Sequence, residues 1–544
     1  MSVGSFVFML HSHLPYYRKA GMWPFGEESL YECMAETYIP LLDAIDELWQ
    51  EGIPAKLTIG ITPILAEQLA DEHLIKGFET YVNERIAQSA IDEKRFSVMG
   101  EEPQPKLHHL AKFYLNWWTK IKGNFENKWQ KNILAGFKKF QDLNAIEITT
   151  SAATHCFSPL IGRDESLKAQ YQTGVEAYKK HFGTSPKGAW LPECAYRPAQ
   201  NGRPSIDKWL HEFGLNYFFT ESTVIKGGQS AQMRRVFGPY GTIEYLPVTN
   251  QKATGHDTYE AYWLKDYPVA VMGRNEICGY QVWSADHGYP GDGEYREFHK
   301  KDDKSGLHYW KLTSTKTDLG DKEYYNPESA LSRLSENSDH YVGLIQQTLT
   351  DFYKTNSKPG LIMVSFDTEL FGHWWFEGIS FIKDVIRKLK AYTAVNVYTA
   401  SEYLKLHPPT QAIALPESSW GAGGHYQVWS NNDTQWMWPI IHECEDKMQE
   451  LSQQHNSNTD PLKERAFKQL LRELLLIQSS DWPFLVTTGQ AKQYAIERFN
   501  DHCDRFNKIV KMIKDNNINE EKLSQIENID NCFPHIKADY FSLA

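Results

Sequence analysis

The chain has 544 residues, 41% apolar and 23% charged, too long for a lone small module and too apolar to be mainly disordered. Asp and Glu outnumber Lys and Arg by 69 to 57, a formal net charge of −12. No electrostatic footprint therefore favours a phosphate backbone or an anionic bilayer, which argues against nucleic acid and membrane partners.

Short apolar or β-branched runs alternate with helical patterns from the first residues on. Candidate strands lie at 6–10, 57–61, 146–150, 188–191, 217–220, 269–272, 361–366 and 395–399. Such alternation is expected of an α/β protein with parallel strands, and this number of them predicts a closed or nearly closed barrel. The opening run MSVGSFVFML has no basic region and no small-residue cleavage site, and His11 and His13 follow it at once. It reads as a first strand and not as a signal peptide. Residues 78–143 form a connection rich in Lys and Trp, much longer than an ordinary αβ loop, and predict a helical insertion. Residues 285–327 carry many Gly, Asp, Lys and Tyr with weak periodicity and read as a long surface loop over one barrel end. Helical periodicity resumes at 327–353. After Pro408 and Pro409 it recurs at 434–452, 460–478 and 489–514. The expected division is a catalytic barrel over 1–407 and an all-helical domain over 408–544. Seven cysteines stand far apart with no C-x-x-C spacing, the pattern of reduced thiols in a cytoplasmic protein. No apolar run is long enough to span a bilayer.

Aromatic residues make up 13% of the chain, and many stand beside Gly, Asn or Asp. Flat rings in polar loops suit sugars, whose C–H faces are apolar while their hydroxyls need hydrogen bonds. Most of the rings are still expected in the core.

Chemistry collects where the candidate strands end. His11 and His13 close the first strand, His155 follows the third, Glu193 follows the run at 188–191, and Asp367 follows 361–366. In parallel barrels the C-terminal rim is where loops from every strand converge, so separation along the chain does not prevent contact. Glu193 and Asp367 have bulky neighbours (Trp190, Pro192, Tyr196; Phe366, Phe371, Trp374, Trp375) that can lift a carboxyl pKa. Two rim carboxyls can cleave a glycosidic bond, one donating a proton to the leaving oxygen and the other meeting the oxocarbenium ion. For a single carboxyl after a strand, a cap or a salt bridge is the ordinary explanation. Coincidence with three histidines and several loop tryptophans weakens it. A rival reading has the H-x-H pair, His155 and Asp367 chelating a divalent metal, as in metal-dependent barrels that act on polysaccharides.

The runs HSHLPYYRKAGMWPFGEESLYE (11–32), TSAATH (150–155), GAWLPECAYRP (188–198), VWSADHGYPGDGEYREF (282–298), SFDTELFGHWWFEG (365–378) and SSWGAGGHYQVWSNNDTQWMWP (418–439) resemble those of glycoside hydrolase family 57, and more narrowly its 1,4-α-glucan branching enzymes. The resemblance covers nearly the whole chain, with its motifs in order. It implies a (β/α)7 barrel with a helical insertion and a C-terminal helical domain that completes the active site. The implied chemistry is a retaining double displacement without metal or other cofactor. By the same matching, Glu193 would be the nucleophile and Asp367 the acid/base. His11, His13 and His155 would hold the sugar beside the cleaved bond. Trp23, Trp283, Trp420 and Trp429 would line the glucan groove, and His373 would bind substrate. The match is poorest at 233–266, where Tyr240 and Tyr245 are the candidates for a loop tyrosine that keeps water from the intermediate. The implied partner is an α-1,4-glucan such as amylose, glycogen or starch. The same carboxylates would serve an α-amylase-type hydrolase, and a glucan-binding scaffold without turnover is a third possibility that both carboxylates argue against.

Overall fold

Strand β1 (Gly4–Ser12), sequence GSFVFMLHS, is buried at all nine positions, as happens when both faces of a parallel strand are covered. A computed structural model of the protein describes residues 2–227, 235–238, 241–244, 254–283, 288–392, 394–455 and 460–542, with backbone alone at 235–238, 241–244, 392 and 422. The other strands are β2 (Leu57–Ile61), β3 (Ile146–Thr149), β4 (Tyr217–Thr220), β5 (Arg235–Gly238), β6 (Gly241–Glu244), β7 (Ala261–Leu264), β8 (Ala270–Gly273), β9 (Gly360–Asp367), β10 (Val395–Val397) and β11 (Ala412–Ile413).

β1 pairs in parallel with β9 from Gly4 to His11 and with β2 from Phe8 to Ser12, and β2 pairs with β3. The ring continues through residues 188–190. The Thr150 amide donates to the Gly188 carbonyl at 3.2 Å, the Trp190 amide to Thr150 at 2.8 Å, and the Ala189 amide to Tyr217 of β4 at 2.9 Å. β4 pairs in parallel with β8, and the Asn275 amide just beyond β8 reaches the Met363 carbonyl of β9 at 2.7 Å. Seven extended segments thus form the α/β barrel. The segment at 188–191 is joined by these bonds and not as a regular strand. Pro192 follows it, and proline has no amide to continue a ladder.

The run at 395–399 becomes the short β10, which pairs with Gly4–Phe6 of β1. Three pairings lay outside the sequence reading: the antiparallel hairpin β5–β6, the antiparallel pair β7–β8, and β11 beside β7. Tyr240 and Tyr245 lie outside the described residues.

The long connection after β2 holds helices Glu72–Arg95, Pro105–Gly123 and Ile133–Asp142. Asp71 caps the first by accepting from the His73 and Leu74 amides, which meets two otherwise unpaired donors. Residues 288–327 do not lie wholly on the surface as expected. Tyr295, Leu307, Tyr309 and Tyr325 are buried in the barrel's core cluster, because a weakly periodic segment can still be pinned by rings spaced along it. The C-terminal helices are Met437–Ser452, Pro461–Ile477, Asp481–Thr488, Lys492–Lys514 and Glu520–Ile529. Pro461–Ile477 runs through the middle of their core, with Leu470, Leu471, Leu474 and Leu475 fully buried. Asp481–Thr488 was not anticipated, since eight residues containing Trp482-Pro483 give no periodic signal. The seven cysteines are free and buried. Among the described residues no helix is long and apolar enough to cross a membrane.

Candidate active site

The last residues of β1 carry His11 inward, and parallel pairing sets it directly beside Asp367 at the end of β9. His11 Nε2 lies 3.0 Å from His155 Nε2, and the His11 ring stacks on Trp190 at 4.6 Å. His13, just beyond the end of β1, stacks on His155 with centroids 3.8 Å apart. Its Nδ1 meets Thr62 Oγ1 at 3.1 Å, and its Nε2 meets Asp481 Oδ1 at 3.0 Å. His155 Nδ1 lies 2.9 Å from Ser480 Oγ.

Glu193 sits on a tight bend. Its φ is +62°, that of Cys194 is +50°, and that of His155 is +58°. Side chains in this left-handed region cost about 1 kcal/mol or more each, and such strain persists where surroundings impose it. Here the Cys194 amide donates to Leu191 at 2.9 Å, the Ala195 amide to Pro192 at 3.0 Å, and the Trp420 amide to the Glu193 carbonyl at 2.9 Å. The carboxyl group is aimed by two donors. Ser480 Oγ donates to Oε1 and Trp420 Nε1 to Oε2, each at 2.8 Å.

The charges follow from burial and these contacts. Burial lifts Glu193 to about 7, with Ser480 and Trp420 opposing and Asp481 and Asp367 adding to the rise. Burial likewise lifts Asp367 to about 6, against the pull of His13 and then Arg274. Glu369 rises to about 8, chiefly by burial, while its Oε1 accepts from the His13 amide at 3.2 Å. Burial works against a charge on His13, but Asp481 beside it outweighs this and its pKa rises. His11 and His155 fall well below the ordinary value, through burial first and then the neighbouring His13. Burial thus favours the neutral forms of His11, His155 and the three carboxyls, while Asp481 favours a charge on His13.

The structure gathers His11, His13, His155, Glu193, Asp367 and Trp420 at this rim. Trp23 stands in solvent, 76% exposed, and Trp283 is half-buried against the barrel core. Two expectations need correction. Trp429 is only 1% exposed and stacks on Phe157 at 4.5 Å inside the C-terminal core, so it packs the domain and does not wall an open groove. His373 is buried in another group, with Nδ1 3.2 Å from Glu36 Oε2 and its ring against Phe298. The family resemblance placed it on substrate, but the apolar neighbours that make a sugar platform also make a core.

Sequence reasoning missed Thr62, Glu369, Ser480 and Asp481. The signal for the last two was SSDWP at 479–483, small polar residues before Trp-Pro at the junction of two helical patterns, where helix starts collect. As a cation site, the ligand atoms of His13, His155 and Asp481 lie within 4.8 Å of one another. That set takes Asp481 where the rival reading had His11 and Asp367.

The family model for glycosyl hydrolase family 57 matches residues 7–416, and that for the 1,4-alpha-glucan branching enzyme C-terminal domain matches 440–541. A 1,4-alpha-glucan branching enzyme of Thermococcus kodakarensis is 41% identical over 99% of this chain and 79% of its own length. The crystal structure of the family 57 branching enzyme from that archaeon, in complex with glucose and additives, aligns with a TM-score of 0.90 at 40% identity over 100% of this chain and 97% of that one. The crystal structure of an alpha-amylase from Thermotoga maritima aligns at 0.85 with 32% identity, covering 100% of both chains.

Proposed function

The chain belongs to glycosyl hydrolase family 57, and from that premise we infer that it is a 1,4-α-glucan branching enzyme, cutting an α-1,4 linkage and joining the released chain to a 6-hydroxyl. The observation that carries this reading is the double hold on Glu193. Ser480, inside the segment that matches the branching-enzyme C-terminal domain, donates to one carboxyl oxygen, and Trp420 donates to the other.

In the proposed mechanism Glu193 attacks the anomeric carbon while Asp367 gives its proton to the leaving O4. A glucosyl ester on Glu193 results. The acceptor's O6 then attacks the same carbon as its proton passes to Asp367, and Glu193 leaves as carboxylate. Burial lifts both carboxyls above their usual range, which suits Asp367 as the acid, while Ser480 and Trp420 oppose the rise on Glu193 and so favour the charged form that a nucleophile needs. His11 offers its unpartnered Nδ1 to a sugar hydroxyl, and His155 and His13, engaged with His11, Ser480, Thr62 and Asp481, hold the wall beside the cleaved bond. Trp23, Trp283 and Trp420 form the apolar platforms for the glucan. Tyr240 or Tyr245 excludes water, since hydrolysis is the same intermediate meeting water in place of a sugar. The barrel domain is taken as 1–407 and the helical domain as 408–544. The setting is cytoplasmic glycogen or starch synthesis.

Incubation with amylose, followed by iodine staining and enzymatic debranching of the product, tests the proposal. The expected result is a fall in iodine absorbance with new α-1,6 linkages. Short free maltooligosaccharides without α-1,6 linkages would overturn it in favour of the hydrolase.

A further inference from the structure

β8 and β9 are not paired strands. The barrel crosses from one to the other by the Asn275 amide on Met363, and this seam lies at the strand end that carries Asp367. Arg274, the first residue after β8, fills it. Its side chain is buried, and the residue is 6% exposed. Nη1 donates to the Ser365 carbonyl at 3.3 Å, two residues before Asp367. Nη2 pairs with Glu221 Oε1 at 2.5 Å. Glu221 directly follows β4 and is also 6% exposed, while the Arg274 amide donates to Thr220 of β4 at 2.9 Å. One guanidinium thus ties together the ends of β4, β8 and β9.

We propose that Arg274 and Glu221 form a positioning pair for Asp367: the guanidinium fixes the end of β9, and Glu221 sets how much positive charge reaches the acid/base. The inference rests on Asp367 being the acid/base. Its chemical logic is a balance. A bare guanidinium beside a general acid holds that acid ionised and unable to donate, whereas a guanidinium neutralised by a buried carboxylate keeps the fork geometry and moderates the field. The other groups facing Asp367 are His13 just beyond β1, Glu193 and Cys194 on the strained bend, and Glu369 on its own segment. Among all of these, Arg274 alone is a cation at every working pH.

The pH profile of kcat/KM on amylose separates positioning by charge from mere support. In the first chemical step Glu193 must be ionised and Asp367 protonated; Glu193, at about 7, is the weaker acid of the two, so the alkaline limb follows its value and the acidic limb follows that of Asp367, at about 6. Glu221→Gln leaves the guanidinium uncompensated and moves the acidic limb down by about one pH unit. Arg274→Met removes the cation and moves it up by a similar amount. Arg274→Lys keeps the charge but loses the fork, so the limb stays in place while kcat falls. Limbs that move the same way in Glu221→Gln and Arg274→Met, or do not move, would overturn the pairing even if both variants are less active. If Arg274→Met does not fold, the direction of the Glu221→Gln shift decides. Asp367→Asn distinguishes the two levels of the reading. Survival of the alkaline limb in that variant refutes the acid/base assignment itself, while its loss leaves the pair to be judged on its own shifts.

Discussion

Among the buried groups of histidine and carboxylate in the described residues, the one at the barrel rim and the one among the C-terminal helices differ in charge balance. In the second, His502 Nδ1 lies 2.9 Å from Glu473 Oε2 and 3.5 Å from Asp530 Oδ2, and all three side chains are fully enclosed. Arg505 Nε lies 2.7 Å from Asp530 and 3.4 Å from Glu473, and Arg498 meets His502 Nε2 at 3.3 Å. Burial would raise the Asp530 carboxyl, but His502 and then Arg505 and Arg498 hold it well below its usual range. Glu473 is raised, by burial and then by Asp530. The cluster pairs two carboxylates with two arginines. At the rim, Glu193, Asp367 and Glu369 are instead all lifted, and acids outnumber cations. The contrast teaches that residue types do not make a reactive site. A charge-matched buried cluster is held firm by its own attractions, whereas a surplus of acid in a dry pocket leaves protons that can be moved.

The largest expected effect sharpens that contrast. Glu193→Gln keeps the shape and removes the nucleophile, so branching of amylose falls about 10⁴-fold or more with the fold intact by circular dichroism. Undiminished product would place the chemistry elsewhere. Next comes the matched cluster, where Glu473→Ala removes one of its two carboxylates and leaves Asp530 alone against His502, Arg498 and Arg505 in the interior. We expect unfolding in denaturant to become easier by about 3–5 kcal/mol, with kcat per folded molecule retained. A fall in kcat without that loss of stability would erase the distinction between the clusters.

Ser480→Ala has a smaller effect. It removes a donor that favours the charged form of Glu193, so the nucleophile's pKa rises and, Glu193 being already the weaker acid of the pair, the alkaline limb of kcat/KM moves to higher pH. About 1 kcal/mol, near tenfold in rate below the limb, is expected. An unshifted limb would mean that Ser480 serves His155 alone. The smallest effect is on stability against pH. Glu193 and Asp367 have folded values of about 7 and about 6 against model values of 4.5 and 3.8, so the folded state binds their protons more tightly. Their stabilisation is complete below the unfolded values and is lost as pH rises through the folded ones. Glu193→Gln cannot ionise and therefore gains Tm over the parent at about pH 8 but not at about pH 4. Equal gains at both would show that Glu193 is not destabilised when charged.

Much of the barrel was legible because fully buried parallel strands are short apolar runs, and FVFML, LTIGI and LIMVSF announce themselves. The polar residue closing each run marked the rim, which is why His11, His13, Glu193 and Asp367 could be named. The failures have a common physical cause. Trp429 and His373 stand in motifs full of rings, and a ring against a sugar and a ring against a core look alike in one dimension. Ser480 and Asp481 were invisible as functional residues because nothing local says that a helix start will dock 287 residues away against Glu193. Arg274 was passed over because its role depends on which strands adjoin, and the break between β8 and β9 is a fact of closure that no periodicity encodes.

The hold of Ser480 on Glu193 also bears on how the molecule comes into being. The barrel strands through β9 leave the ribosome first, carrying the proposed nucleophile and acid, while the serine that holds Glu193 emerges more than a hundred residues after Asp367. A nascent chain thus carries its cutting groups unaimed until the helical segment has been translated and has docked. On the proposed mechanism, competence toward an α-1,4-glucan is conferred late in synthesis, when the helical segment docks on the barrel.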